Sequence, residues 1–208
     1  MADGNGSKTI EALPTLDTAG RETLFTRART ANAFADTAVS DGTLLEAWDL
    51  ARWAPTSVNS QPLRILFIRK GNARDRLIPH MFEPNKLKTA QAPIVAVLAT
   101  DTRFHEQIPV VFPVRPEMAD LFEASPELQS ATGSFNTALQ AAYFILAVRA
   151  VGLAAGPMGG FDAGGVDREF FPDGQWKSAL VVNLGYPREN SWAERLPRLD
   201  PVDIVRWV

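Results

Sequence analysis

From Ala138 to Val151 the chain reads Ala-Leu-Gln-Ala-Ala-Tyr-Phe-Ile-Leu-Ala-Val-Arg-Ala-Val, apolar nearly all round and rich in alanine. Alanine and the straight-chain residues favour helix. The pattern predicts one long helix from about Glu127 to Val151, closed by Gly152 as a natural residue just past a helix end. A helix without a polar face must be covered on most sides. The chain therefore needs either a central helix wrapped by its own elements or a helix packed across a subunit interface.

The elements around that helix follow from local pattern. Ser40 caps a helix through Trp53 with Leu44, Leu45, Trp48, Ala51 and Trp53 at roughly helical spacing, and Pro55 stops it. Arg64–Arg69, Ala92–Thr100 and Ser178–Gly185 are short apolar runs suited to buried strands. A helix is expected from Leu16 to Arg29 with Leu24 and Phe25 inward. Short helices broken at Pro79 and Pro84 fill 71–92, and Asp162 caps a further helix through Phe171. Residues 101–129 carry Pro109, Pro113, Pro116 and Pro126 amid Phe104, Phe112 and Phe122. That is long for a structureless connection and predicts a lid or an excursion over a partner. Residues 1–16 read as a flexible N-terminal tail and 17–208 as a single domain.

Composition removes function classes. The 208 residues include no cysteine, which excludes thiolate nucleophiles, disulfides and Cys-ligated zinc or iron–sulfur sites. His80 and His105 lie far apart, outside any metal-like motif, and are expected at a surface or helix end; no metal site is predicted. A net charge of −3 offers no basic field for nucleic acid. No apolar run approaches the roughly 20 residues that span a bilayer, and the N-terminus lacks a signal-peptide layout, so a cytoplasmic protein is expected. Hard chemistry in such a chain falls to a bound organic cofactor.

Four segments carry candidate chemistry. Trp53-Ala-Pro-Thr-Ser-Val-Asn-Ser-Gln-Pro62 is a polar, proline-bounded loop offering hydroxyls, amides and backbone N–H groups, a composition that also suits an ordinary solvated loop. Thr26-Arg-Ala-Arg-Thr-Ala-Asn-Ala-Phe34 gathers guanidinium forks and hydroxyls of the kind a dianionic phosphate needs, and equally suits a solvated helix end. Asn85 and Lys88, three apart on a helical turn, share a face and can address one flat polar edge, or simply water. Leu153-Ala-Ala-Gly-Pro-Met-Gly-Gly-Phe-Asp162 lets a backbone approach a ligand closely, or makes a flexible turn.

In this order and spacing, the four segments resemble the nitroreductase family of FMN flavoproteins over nearly the whole chain, from about Leu24 to Leu199. Within it, Leu24–Asn32, Trp53–Asn59, Pro157–Asp162 and Ala193–Leu199 look like the RutE-like branch, assigned to malonic semialdehyde reduction in pyrimidine breakdown. The resemblance implies an α+β fold, a mixed sheet surrounded by helices, in an intertwined homodimer with FMN at each end of the interface. It implies that Arg29, Thr30 and Arg195 hold the flavin phosphate. Asn32 stands where many relatives carry a Lys or Arg. Asn85 and Lys88 match the ring-edge contacts, and Pro55, Thr56, Ser57 and Asn59 match a loop donated by the partner subunit. Pro157, Met158, Gly159 and Gly160 pass along one face of the ring, and Asn136 reaches the slot from the long helix. Gly159 replaces a glutamate common in relatives, which makes the pocket less repulsive to an anionic substrate.

The implied activity is NAD(P)H-dependent flavin oxidoreduction, with NADH or NADPH as reductant and malonic semialdehyde as acceptor. A broad nitroaromatic or quinone reductase and a flavin-binding module without turnover stand as alternatives.

Overall fold

The computed structural model describes residues 13–208, so most of the expected N-terminal tail lies outside the described residues. Four strands form one sheet: β1 (Leu63–Arg69), β2 (Ile94–Asp101), β3 (Ala154–Met158) and β4 (Trp176–Gly185). Their order is β1-β2-β4-β3, and every pairing is antiparallel. The α+β class is as expected, and the strand directions within this one chain are not mixed.

β2 shows why the sheet is central. Ile94, Ala96 and Leu98 point to one face and Val95, Val97 and Ala99 to the other, all fully buried. A strand covered on both faces loses the polar alternation of a half-exposed one, hence the continuous apolar run. One face is covered by α2 (Asp41–Ala51) and α7 (Pro126–Ala150) through Leu44, Ala47, Phe144 and Val148. The other is covered by α3 (Asn72–Leu77), α4 (Glu83–Gln91) and α8 (Ala163–Phe170), with Leu77, Met81, Phe161 and Val166 inward. No helix among the described residues is long and apolar enough to cross a membrane.

Capping chemistry sets several boundaries as predicted. Ser40 accepts the Thr43 N–H at 3.0 Å and Asp162 that of Gly165 at 3.0 Å. Gly152 adopts φ +81° after α7, a left-handed conformation that glycine takes without steric cost.

Elsewhere the structure differs. α2 ends at Ala51, before Pro55, and leaves Trp53 77% exposed. β1 is an edge strand, only half-buried along most of its length. The expected 16–29 helix is α1 (Thr18–Arg21) followed by a wider five-residue turn, Glu22–Thr26. That turn shifts the helical phase, and Phe25 faces outward instead of inward.

Residues 101–129 fold into a short turn at Phe104–Gln107, α5 (Ile108–Val111) and α6 (Met118–Glu123), around their own cluster of Phe104, Ile108 and Phe122. His105, expected near a surface, is buried there between Glu123 (2.6 Å) and Gln129 (2.7 Å). A C-terminal turn, α9 (Pro201–Ile204), ends the chain with apolar side chains exposed.

α7 is buried on one side only: Asn136, Thr137, Gln140, Phe144 and Val148 face inward. Phe135, Leu139 and Tyr143, four residues apart, form an exposed apolar stripe.

Candidate functional site

The outer edge of β3 organises the candidate site. The Ala31 N–H donates to the Ala155 carbonyl at 2.9 Å, laying Arg29–Asn32 along this strand as an extra, irregular neighbour. A Cβ on Gly156 would stand 2.4 Å from the Ala31 carbonyl oxygen, so the close approach requires glycine there. On its other side Ala31 bridges to Trp192, which brings the 193–198 segment over the same turn.

Arg29, Thr30, Asn32, Arg195 and Arg198 line a cavity of about 260 Å³, with Glu194 the one acid in its wall. Arg29 Nη1 donates to the Ala193 carbonyl at 3.1 Å, and Arg195 Nη2 to the Thr26 carbonyl at 2.6 Å. Neither arginine has a carboxylate within ion-pair distance among the described residues. Backbone carbonyls fix their orientation and leave their charge unspent. Guanidinium forks in that state suit a phosphate.

At the far end of β3 the chain passes through Gly159 and Gly160. Asn85, on α4, donates from Nδ2 to the Gly160 carbonyl at 2.9 Å, and the Phe82 N–H reaches the same oxygen at 3.1 Å. A Cβ on Gly160 would meet Asn85 at 2.7 Å, whereas one on Gly159 would meet nothing within 4 Å. Lys88 lies one turn beyond Asn85, half-buried and outside every ion pair among the described residues. Below this surface Thr89, Met158 and Asn183 form a buried polar knot. The Asn183 amide sits 3.5 Å from the Thr89 hydroxyl, and its Oδ1 has no partner.

The 55–59 loop lies elsewhere. It precedes β1, at the opposite edge of the sheet, with β2 and β4 between it and β3. Val58, Asn59 and Gln61 hold positive φ of 49°, 51° and 45°. The strain is borne by three contacts: Ser57 N–H to Asn136 Oδ1 (2.8 Å), Asn59 Nδ2 to the Val111 carbonyl (2.7 Å), and Gln61 N–H to Thr56 Oγ1 (3.3 Å).

One chain therefore brings Arg29, Thr30, Asn32, Asn85, Lys88, Pro157, Met158, Gly159, Gly160 and Arg195 along one edge, and sets Pro55, Thr56, Ser57 and Asn59 apart. Asn136 does not open into a slot. It is 1% exposed, and its Nδ2 donates to the Thr132 carbonyl while Oδ1 holds the loop, so both polar ends are used. Met158 likewise turns its side chain into the core, leaving its backbone at the edge. No cluster of three or more His, Asp or Glu side chains able to hold a metal is found among the described residues.

The model of the nitroreductase family matches residues 26–186. The chain belongs to the nitroreductase family. A Streptomyces coelicolor protein provisionally named NADH dehydrogenase/NAD(P)H nitroreductase is 54% identical over 195 residues, covering 94% of this chain and 96% of its own length. Two crystal structures share the nitroreductase fold at identities that speak for fold alone. One, provisionally named a nitroreductase, is an Exiguobacterium sibiricum protein in complex with FMN, with TM-score 0.82 and 18% identity over 93% of this chain and 99% of that one. The other, provisionally named an NAD(P)H:FMN oxidoreductase, comes from Staphylococcus epidermidis, with TM-score 0.79 and 19% identity over 94% and 98%.

Within this family member, sequence alone did not single out Arg149, Thr89 or Asn183. A polar residue inside an apolar strand, as Asn183 stands in Leu180–Leu184, was the available signal for the last of these.

Proposed function

We propose that this chain is an FMN-dependent NAD(P)H oxidoreductase that works as a homodimer. The observation carrying this reading is the track along β3, with unspent guanidinium groups at one end and an amide and an unpaired lysine at the other. About 10 Å of strand separates Ala155 from Met158. The donor set fits FMN: Arg29, Thr30 and Arg195 suit its phosphate, and Asn85 and Lys88 suit the polar edge of its ring system. Asn32 and the backbone of Pro157–Gly160 would flank it.

Once bound, FMN supplies the two-electron relay from NAD(P)H to an acceptor. Lys88 would place a positive charge beside the ring edge that becomes negative on reduction, and fixed charges act most strongly in a site closed to water. Pro55, Thr56, Ser57 and Asn59 would complete the site from the partner subunit, consistent with their place at the other edge of the sheet. Residues 101–129 are tied to that loop through Val111 and form its cover.

For the acceptor, the reading is malonic semialdehyde, reduced to 3-hydroxypropionate in a cytoplasmic pyrimidine-breakdown route. It rests on the likeness of Leu24–Asn32 and Ala193–Leu199 to the RutE-like branch, and on the open, uncharged position at Gly159.

Purified protein should be yellow, release FMN on heating, and bleach with NADH or NADPH under anaerobic conditions. Arg195→Ala should weaken FMN binding by roughly 10- to 100-fold, the worth of a charge-assisted hydrogen bond. A colourless protein that takes up no added FMN would end the reading. Steady-state rates with malonic semialdehyde, a nitrofuran and a quinone decide the acceptor. A negligible semialdehyde rate beside rapid turnover of the others removes the finer assignment and leaves a broad reductase, whereas flavin binding without bleaching leaves a non-catalytic module.

A further inference from the structure

Arg149 stands in the last turn of α7, half-buried. The one hydrogen bond of its side chain among the described residues runs from Nη1 to the Leu24 carbonyl, at 3.3 Å. Burial pushes its pKa below the ordinary guanidinium value, and among the described residues no carboxylate lies within ion-pair distance to offset that cost. The dipole of α7 favours a cation at this end, a modest gain that offsets only part of that cost.

Beside Arg149 a cavity of about 220 Å³ opens, lined by Arg27, Arg29 and Arg149, with Glu22 as its sole acid. Glu22 is already engaged by Arg27 at 3.4 Å. Ala28 and Arg29 line this cavity and also the cavity that holds Arg195, so the two adjoin through one guanidinium.

Together the two cavities present five arginines (27, 29, 149, 195 and 198) against two glutamates (22 and 194), a local excess of three positive charges in a chain whose net charge is −3. A phosphate monoester carries about −1.5 to −2. One such group in the Arg195 cavity leaves roughly one positive charge over, and it falls on the Arg149 side.

We infer that the cavity between Arg27, Arg29 and Arg149 is a second anion site, for a small phosphate-like dianion. This rests on the flavin reading only in taking the Arg195 cavity as the one the flavin phosphate fills. At about 220 Å³ the cavity is of a size for a small oxyanion. Because both anions lean on Arg29, each weakens the other, and by linkage the effect is reciprocal.

The test is calorimetric titration of inorganic phosphate into the FMN-loaded protein at constant ionic strength. One phosphate per chain should bind beyond the flavin. Arg149→Met should weaken it by roughly 10- to 100-fold while the visible flavin spectrum is kept, and Glu22→Gln, at a half-buried position, should tighten it. Phosphate should also raise the FMN dissociation constant to a plateau in the unmodified protein and not in Arg149→Met, whereas direct competition for the flavin phosphate cavity would show no plateau. Absence of phosphate binding at millimolar concentration overturns the inference, as does binding indifferent to both variants. Should the chain take up no flavin, the same titration on flavin-free protein separates the two readings: phosphate binding that still responds to Arg149→Met keeps the anion site while the flavin assignment falls.

Discussion

Asn136 in the middle of α7 accepts the backbone N–H of Ser57 at 2.8 Å, joining the longest helix to the most strained loop of the chain. The bond holds a segment that would otherwise relax. Val58 is β-branched and sits at φ 49°, a conformation that costs about 1–3 kcal/mol when surrounding contacts do not enforce it.

Replacing Asn136 by alanine leaves the Ser57 N–H without this acceptor and removes the enforcement. The expected loss is about 1–3 kcal/mol, or roughly 2–12 °C of melting temperature at this chain length. Thermal unfolding measures it. If the loop serves the partner's flavin, FMN affinity falls as well; a variant that melts normally and binds FMN normally would show that the bond holds nothing of consequence.

Two glycines three residues apart, Gly156 and Gly159, should answer oppositely to the same change. Gly156→Ala drives a methyl group against the Ala31 backbone carbonyl, where the Cβ distance would be 2.4 Å, and must open the junction of Arg29–Asn32 with β3. Overpacking of this kind costs about 1–3 kcal/mol, and FMN affinity should fall with it. Gly159→Ala meets nothing within 4 Å and should stay within about 0.5 kcal/mol of the parent. Paired melting curves with flavin titrations check both.

What could be read from the sequence depended on whether each element made its own signal. β2 announced itself because both faces are covered, and the Ser40 and Asp162 caps are local hydrogen-bonding chemistry that travels with the residue type. β3 did not. Ala-Ala-Gly-Pro-Met lacks β-branched residues, and at Gly156 the neighbouring Ala31 carbonyl leaves no room for any side chain, so a strand looks like a flexible turn. The arginine, amide and small-residue segments were legible as chemistry, while the split between the two sheet edges was not, because strand order is a long-range property. Asn136 was visible as a polar residue in an apolar helix, but whether it faced a ligand or a loop depended on where Ser57 lies in space.

Arg74 is 2% exposed and has no acidic partner within ion-pair distance among the described residues. Its guanidinium donates to the carbonyls of Ile68 (2.7 Å), Thr89 (2.6 Å) and Ala92 (2.8 Å), riveting β1, α3 and the end of α4. Burial pushes its pKa down to about 10, still well above neutrality. Arg74→Met strands three carbonyls and should cost about 3–5 kcal/mol. Since the folded-state pKa lies below the unfolded one, the folded protein binds fewer protons only above about pH 10, and there stability rises with pH. Below that the group is charged in both states. The gap between parent and variant, measured by urea unfolding, should therefore stay constant from pH 6 to 9; a gap that varies across that window would mean another titrating group governs the region.

Phe135, Leu139 and Tyr143 are 63%, 36% and 41% exposed along one side of α7, and an apolar stripe on a central helix is a surface awaiting cover. A second copy of the chain is the proposed cover, and on the proposed reading such a dimer would also bring a 55–59 loop toward the other subunit's β3 edge. Leu139→Arg places a charge in the middle of the stripe, where it would be buried without a partner, and should shift the protein to monomer in sedimentation. The folded core behind the stripe, through Phe144 and Val148, is untouched, so far-ultraviolet circular dichroism should be preserved. On the proposed reading FMN affinity should fall together with dimer content, because each site would lose the loop contributed by the other subunit. A monomeric variant that still holds FMN at parental affinity would show that one chain makes the whole site, and would return Pro55, Thr56, Ser57 and Asn59 to the role of an ordinary surface loop.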